Sequence, residues 1–401
     1  MSDMNEYKIV KITDLGTVNR GKSKHRPRND SILYGGEYPF IQTGDVKKAN
    51  LHLIDYTQTY NDVGLKQSKL WKKGTLCFTI AANIADSAIL GMDACFPDSI
   101  VGFLPYENVS DTTYVKYLFD ELKLYFQQIS KGTTQDNLSL GKICRVKLRV
   151  PDYDTQVKVA SILSTYDTAI ENNNKRIRLL EQMAENLYKE WFVRFRFPGY
   201  EDVEFENGIP KGWKVGRLSD ILTLQSGYAF KSENFVEKGE YKIVTIKNVQ
   251  HKIFDGNNVS YLDSIPVKMP KYCALHTGDL LLSLTGNVGR VCRVVGENYL
   301  LNQRVAKIKT DYKYYAYSLL TTQQMFNYMN NLANGTAQLN LSPIKTENIR
   351  SLLPNIELIE QYDKLMSPYF NEIMSLNQQT QLLTKERDFL LPRLMSGKLE
   401  V

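Results

Sequence analysis

Long hydrophobic runs are missing from this 401-residue chain; the longest, around residues 280–284, is hemmed in by Gly278-Asp279 and Thr285-Gly286. A helix needs about 20 consecutive apolar residues to span a bilayer, so a membrane span is excluded. The opening Met1-Ser2-Asp3-Met4-Asn5-Glu6 offers neither the basic nor the apolar stretch of an export signal, and a cytoplasmic protein is expected. Cysteine is scarce. Cys77, Cys95, Cys144, Cys273 and Cys292 form no C-x-x-C pair, and their odd number suits buried thiols in a reducing compartment. Histidine is scarcer still, with four residues, none beside a cysteine or in H-E-x-x-H, which argues against a zinc hydrolase. Catalytic signatures are lacking too: there is no G-x-S-x-G elbow and no Asn-Pro-Pro-Tyr or Asp-Pro-Pro-Tyr of an amino-methyltransferase. The chain is expected to catalyse nothing alone.

What is present is ordinary globular material. Hydrophobic residues make up 43% and charged residues 23%, which excludes a disordered or fibrous chain, and the length suits two to four domains. A net charge of +6 allows an acidic partner without demanding one.

The decisive feature is internal repetition with a period near 204 residues. Lys73-Gly74-Thr75-Leu76-Cys77-Phe78-Thr79 … Asn83 returns as Thr277-Gly278-Asp279-Leu280-Leu281-Leu282-Ser283 … Asn287. Gly132-Thr133-Thr134-Gln135 … Leu138-Ser139 returns as Gly335-Thr336-Ala337-Gln338 … Leu341-Ser342. Each copy then reaches a proline, Pro151 or Pro354, followed by a long helical pattern. A period of this size means a duplicated domain pair rather than a solenoid.

Within each copy, glycine-bounded runs at 38–42, 76–80, 241–246 and 279–284 read as strands, and 113–129 and 312–332 read as helices. The expected fold class is therefore α+β. Globular blocks at 1–152 and 197–354 alternate with helical regions at 153–196 and 355–401.

The first helical region carries apolar residues at steps of four and three, including Tyr166, Ile170, Asn173, Ile177, Leu180 and Leu187. The second shows Tyr369, Ile373, Leu376, Thr380, Leu383 and Arg387 in the same rhythm. Two such seams predict helices that pack on each other, with Asn173 facing a layer that includes Thr380, and with Pro368 and Pro392 weakening the ends of the second.

Gly16-Thr17-Val18-Asn19-Arg20-Gly21-Lys22-Ser23 matches the Walker A pattern letter for letter. No apolar helix follows it, and the second copy puts Tyr228 opposite Lys22 and retains only Gly227 opposite Gly21. A phosphate loop needs a strand before it and a helix opening at the Lys-Ser, so the match reads as accidental and a P-loop NTPase is the least favoured alternative.

Arg20, Lys22, Lys24, Arg26 and Arg28 place five cations in nine residues, a loop suited to DNA phosphates or to plain solvation. Further candidates for DNA contact are Lys47, Lys48 and Asn83 in the first copy. The second copy offers Lys231, Lys247, Asn248, Gln250, Lys252, Asn287, Arg290, Gln303 and Arg304. Arginine, lysine, asparagine and glutamine are the side chains that pair with purine edges, although each of these positions also fits a turn or a phosphate contact.

The order of motifs resembles the specificity subunit of type I restriction-modification systems. The resemblance rests on the two Gly-Thr-x-Gln … Leu-Ser segments, Pro151 … Gln156 and Pro354 … Gln361, and Leu180-Glu181 … Leu187-Tyr188-Lys189-Glu190-Trp191-Phe192. Ile209-Pro210-Lys211-Gly212-Trp213 and the terminal Leu390-Leu391-Pro392-Arg393-Leu394-Met395-Ser396-Gly397 complete it. It covers essentially the whole chain. It implies two target recognition domains, each reading half of a split duplex DNA target, and an antiparallel helical pair between them. It also implies two methyltransferase subunits as partners and two restriction motor-nuclease subunits. S-adenosylmethionine, ATP and magnesium would sit on those partners, with no cofactor or metal in this chain. The family's recognition domains diverge, so no base-reading residue follows from the resemblance. A coiled-coil adaptor binding RNA or another acidic partner is the main alternative.

Overall fold

The structure is a computed structural model that describes residues 7–131, 138–333 and 339–401. The Gly132–Gln135 and Gly335–Gln338 portions of the repeated motif lie outside the described residues. The chain forms two compact units, one of residues 1–172 with 380–401, the other of residues 173–379. Each unit therefore combines one globular block with a piece of both long helices.

The first unit holds an antiparallel strand pair, Lys8–Val10 with Leu148–Val150. Beside it stands a five-stranded sheet in the order Gly16–Arg20, Ile100–Pro105, Leu76–Thr79, Ser87–Leu90, His52–Leu53. A second sheet runs Gln58–Tyr60, Tyr34–Phe40, Ala94–Cys95, Leu70–Trp71. Leu76–Thr79 and Ser87–Leu90 are buried on both faces, which is why the sequence there is continuously apolar rather than alternating. One face is covered by the helices Thr112–Glu121 and Lys123–Ser130, whose Tyr114, Phe119 and Phe126 join Phe78 and Phe103 in the main core.

The second unit repeats this plan. Lys214–Arg217 pairs with Arg350–Leu353. One sheet runs Thr223–Ser226, Val305–Lys309, Leu280–Ser283, Val291–Arg293, and the other Ser260–Leu262, Tyr241–Val244, Tyr299–Leu301, Ala274–Leu275. The helices Lys313–Leu320 and Gln323–Leu332 take the covering position. The expected α+β class and strand positions hold. Each expected single helix, 113–129 and 312–332, is instead two, broken at Leu122 and at Thr321-Thr322; Thr322 caps the second segment in the latter, accepting from Met325 N–H at 3.2 Å.

The long helices are Tyr153–Tyr188, followed by a wide turn over Lys189–Val193, and Ile356–Met395. Pro368 and Pro392 do not end the second helix. Both lie on its exposed side, where water can take up the carbonyl each leaves without a donor, while neighbouring Met366, Phe370, Leu394 and Met395 are buried.

In the second unit the two helices run antiparallel. Asn173 Nδ2 donates to Gln379 Oε1 (3.0 Å), Arg176 pairs with Glu372 (2.5 Å), and Tyr362 O–H reaches Ala184 O (3.4 Å). The partner of Asn173 is thus Gln379, one residue before the expected Thr380: the longer side chain brings an acceptor to a buried amide. Ile177, Leu180, Leu187, Tyr369 and Ile373 line this packing, Leu376 is buried one turn on, and an aromatic knot of Tyr188, Trp191, Phe192, Tyr315 and Tyr362 closes it. In the first unit the pieces are also antiparallel, with Asp167 against Arg387 and Lys158 Nζ donating to Val401 O. Ile170 is buried there, whereas Tyr166 and Leu383 are half-buried. Among the described residues, no helix is long and apolar enough to cross a membrane.

Candidate nucleic-acid interface

The five-cation segment begins at the end of strand Gly16–Arg20 and continues as irregular chain, with no helix at Lys22-Ser23. Gly21 is where it is for packing: a Cβ there would stand 2.3 Å from Pro97 O. Gly227, its counterpart, would meet Asn302 O at the same 2.3 Å. The one Walker-signature residue that the repeat retains is therefore explained by close backbone approach, not by phosphate. The loop is tied down at several points. Lys24 and His25 N–H both donate to Gln67 Oε1 (2.6 and 3.0 Å), and Ser68 Oγ donates to Lys22 O (2.7 Å). Arg28 is neutralised by a bidentate contact to Asp98 (2.6 and 2.9 Å), while Arg26 spends donors on Ser23 O and His25 O. Among the described residues no acid pairs with Arg20, Lys22, Lys24 or Arg26, and all four are exposed.

A second construction is built on the same set of bonds in both units. In the loop after strand Leu76–Thr79, the Thr79 hydroxyl donates to Asn83 O and accepts from Asp86 N–H (3.1 Å). In the loop after Leu280–Ser283, the Ser283 hydroxyl donates to Asn287 O and accepts from Arg290 N–H (3.1 Å). Ala85 N–H returns to Thr79 O (2.9 Å), and Gly289 N–H to Ser283 O (3.0 Å). A side-chain amide from the covering helix holds each loop: Gln127 to Ile84 O (3.2 Å), Asn330 to Val288 O (3.3 Å). The same backbone bond then follows, Leu138 N–H to Ile80 O and Leu341 N–H to Leu284 O (2.9 and 2.7 Å). Both loops pass twice through left-handed backbone. The second copy uses Gly286 and Gly289 (φ 72° and 76°), the first uses Ala82 and Ala85 (φ 61° and 64°). Alanine there carries strain that glycine avoids, so the loop's shape is imposed by the bonds around it.

What surrounds this common frame differs. In the first unit Lys47, Asn83, Asp86, Lys123, Gln127 and Lys131 line a cleft of about 440 Å³. Lys47 Nζ donates to Asn83 Oδ1 (3.2 Å) and Lys123 to Asp86 (2.5 Å). In the second unit Gln250 stands for Lys47, Arg290 for Asp86 and Phe326 for Lys123. The Arg290 guanidinium donates to Gln250 Oε1, and Phe326 packs on His251 with ring centres 5.3 Å apart.

Two expected DNA-contact residues are claimed by the fold. Asn248 is fully buried, and all its donors and acceptors are used: Oδ1 accepts from Thr245 N–H and Oγ, and Nδ2 donates to Asp255 O and Asn257 O. An asparagine that caps a turn has the composition of a base reader, and only burial separates the two roles. Lys252 reaches Glu185 (2.9 Å) and is largely buried. Lys231 is exposed beside Glu233; Lys48, Lys247, Asn287, Gln303 and Arg304 are exposed, the last two on the turn next to Tyr228. The structure thus joins Lys47 with Asn83 and Gln250 with Arg290.

Each recognition block is held to the first long helix by two carboxylates one turn apart, a feature sequence reasoning missed because the partners are distant in the chain. In the first unit Asp167, fully buried, accepts from Arg387, Asn50 Nδ2 (2.9 Å) and Tyr117 O–H (2.5 Å). Glu171 accepts from Leu51 and His52 N–H (3.0 and 2.8 Å) and meets His52 Nδ1 (3.1 Å). In the second, Glu181 accepts from Arg293 (2.7 Å) and Tyr317 O–H (3.0 Å), and Glu185 from Lys252 and Lys189. The hydrogen bonds from Lys189 and Lys252 press the Glu185 carboxyl down to about 2.

Two copies of one frame, each seated on paired helices and each presenting a different rim, define a duplicated recognition scaffold. The chain belongs to the type I restriction modification DNA specificity domain family, whose sequence model matches residues 4–182 and 210–384. Its role is that of a specificity subunit, recognising DNA sequence without catalysing. It is 27% identical over 414 residues to the type I restriction enzyme MjaIX specificity subunit of Methanocaldococcus jannaschii, covering 99% of this chain and 94% of that protein. It is 24% identical to the HindI specificity subunit of Haemophilus influenzae, over the full length of both. The crystal structure of the S subunit of a type I restriction-modification system from M. genitalium shares the fold, with a TM-score of 0.60 at 14% identity, covering 98% of this chain and 97% of that one.

Proposed function

We propose that the chain reads a split duplex target, one half-site with the block in residues 1–152 and the other with that in residues 197–354, and so directs adenine methylation by partner subunits. The observation that carries this reading is the pair of loops built on the same set of bonds whose surrounding side chains differ, Lys47, Asp86 and Lys123 against Gln250, Arg290 and Phe326. A shared frame gives both halves the same approach to a duplex, and different rims give each its own base preference. The exposed Arg20, Lys22, Lys24 and Arg26 supply phosphate contacts that hold register without reading sequence. Two methyltransferase subunits and two restriction motor-nuclease subunits complete the assembly, and S-adenosylmethionine, ATP and magnesium are theirs to bind. The helical regions at 153–196 and 355–401 set the spacer between half-sites.

Sequencing genomic DNA for methylated adenine, in a strain with this chain and in its deletion, tests the proposal. The expected result is one motif of two half-sites around an unspecified spacer, present with the chain and absent without it. Methylation that is unchanged by the deletion would refute it.

A further inference from the structure

The duplication separates what the fold must keep from what recognition is free to change. A common set of bonds shapes the loops 80–86 and 284–290 in both copies: hydroxyl at 79 and 283, amide at 127 and 330, backbone donor at 138 and 341. The first copy keeps the shape even where alanine replaces glycine at φ 61° and 64°. The three positions facing that frame change chemistry completely. Lysine becomes glutamine from 47 to 250, aspartate becomes arginine from 86 to 290, and lysine becomes phenylalanine from 123 to 326. A phosphate backbone is the same in every half-site, so a contact to it gives no reason to turn an acid into a base at one fixed place. A base edge does.

We infer that this cleft rim is where each half reads its bases: Lys47 and Asp86 in the first block, Gln250 and Arg290 in the second. The inference deepens the split-target reading and rests on it. Lys47 offers donors suited to guanine O6/N7, and Asp86, mostly buried in the cleft wall with Oδ1 taken by Lys123, leaves Oδ2 as an acceptor for the exocyclic amine of cytosine. Arg290 donates to Gln250 Oε1 while Gln250 Nε2 donates to Lys247 O (2.8 Å), so the amide is fixed in place and the guanidinium, with donors to spare, is the group set to pair with guanine. Lys123 is held by Asp86 at 2.5 Å and leaves Lys47 as the freer cation, exposed at the lip and donating to Asn83.

The test uses the full chain with its methyltransferase partner on a library of duplexes randomised in both half-sites, sequencing the methylated fraction. Lys47→Gln with Asp86→Arg transplants the second rim into the first block, and Gln250→Lys makes the reciprocal change. Lys47→Gln alone alters an exposed side chain and keeps the test alive where the double variant does not fold. The expected result for the first-block variants is a changed preference at one or two base pairs of the first half-site. Discrimination there should fall about 5- to 150-fold, the worth of one good base contact, with the second half-site untouched. Gln250→Lys should do the converse. An unchanged half-site in folded, active variants overturns the inference. So does a uniform loss on all sequences with a shallower salt dependence, which makes the rim a phosphate seat. Failure of the wild-type complex to select any split motif defeats the split-target reading instead, and is recognised before any variant is compared.

Discussion

The two units solve one mechanical problem, fixing a recognition block to the same long helix, with different chemistry. In the first, the carboxylates of Asp167 and Glu171 grip three consecutive residues, Asn50, Leu51 and His52, two of them by backbone N–H. That segment is itself the edge strand His52–Leu53, bonded to its sheet by Ile89 N–H to Leu51 O and Gly91 N–H to Leu53 O (both 2.9 Å). In the second, Glu181 and Glu185 are met by the tips of Arg293, Lys252 and Tyr317, and the Arg293 guanidinium also lies against the rings of Tyr317 and Phe370 (4.7 and 4.4 Å). A backbone grip has little freedom to adjust, whereas long side chains resting on aromatic faces have alternatives. The first joint is therefore the more brittle.

Removing the central carboxylate exposes that difference most strongly. Asp167→Ala leaves Arg387, Asn50 and the Tyr117 hydroxyl without their shared acceptor, and breaking a buried pair this way costs about 3–5 kcal/mol. Glu181→Ala should cost less, about 2–3 kcal/mol, since the ring contacts of Arg293 remain and are worth about 1–2 kcal/mol when desolvated. Denaturant unfolding of the two variants would rank them, and equal losses would show that the ring contacts of Arg293 do not soften the loss at Glu181.

The repeated loops sharpen the comparison at a smaller scale. Gly289→Ala would put a side chain at φ 76° with its Cβ 3.2 Å from Met329 Cβ, and should destabilise the second unit by about 1–2 kcal/mol. Ala82→Gly in the first unit goes the other way. Relief of the left-handed strain exceeds the entropy glycine adds to the unfolded chain, for a gain of about 0.5–1 kcal/mol in thermal unfolding. A loss at Ala82→Gly would mean that the methyl group, not the backbone shape, is what the loop needs.

The smallest effect is in pH. The hydrogen bond that His52 donates to Glu171 raises the His52 pKa above 6.5, so its stabilisation is whole below 6.5 and fades as pH rises through the raised value. Glu171 is half-desolvated, yet its bonds to His52 and Leu51 hold its pKa below 4.5, so that share is lost only as pH falls under 4.5. Glu185, held at about 2, gives up its contribution only as pH falls from 4.5 through about 2. Raising pH from 6 to about 8.5 should thus loosen the first joint alone, by less than about 1 kcal/mol because His52 is well exposed. Amide-exchange protection of Leu51 and His52 should drop relative to that of Lys252, and His52→Ala should abolish the difference.

Much of this architecture was legible before any coordinates. Repetition of Lys73–Thr79 as Thr277–Ser283, and of Asn83 as Asn287, located the common frame without revealing its bonds. The apolar steps from Tyr166 to Leu187 located the helical seam. Misreadings had physical causes. Pro368 and Pro392 are helix breakers by propensity but cost little on an exposed face beside buried Met366 and Leu394. Asn248 looked like a base reader because a turn cap and a base reader need the same amide.

By itself the amino-acid order determined the duplication, the α+β blocks, the long helices and the placing of cations in exposed loops. These follow from local periodicity, turn chemistry and solvation, which act over a few neighbouring residues. Which carboxylate meets which block, that Asn248 is buried while Gln250 stands against Arg290, and that Lys47 and Asp86 share a rim with Lys123 were decided only by tertiary structure. The pairings reach across as many as 337 residues, as between Asn50 and Arg387. Burial and pairing at that range come from the packed core as a whole, and no local pattern encodes them.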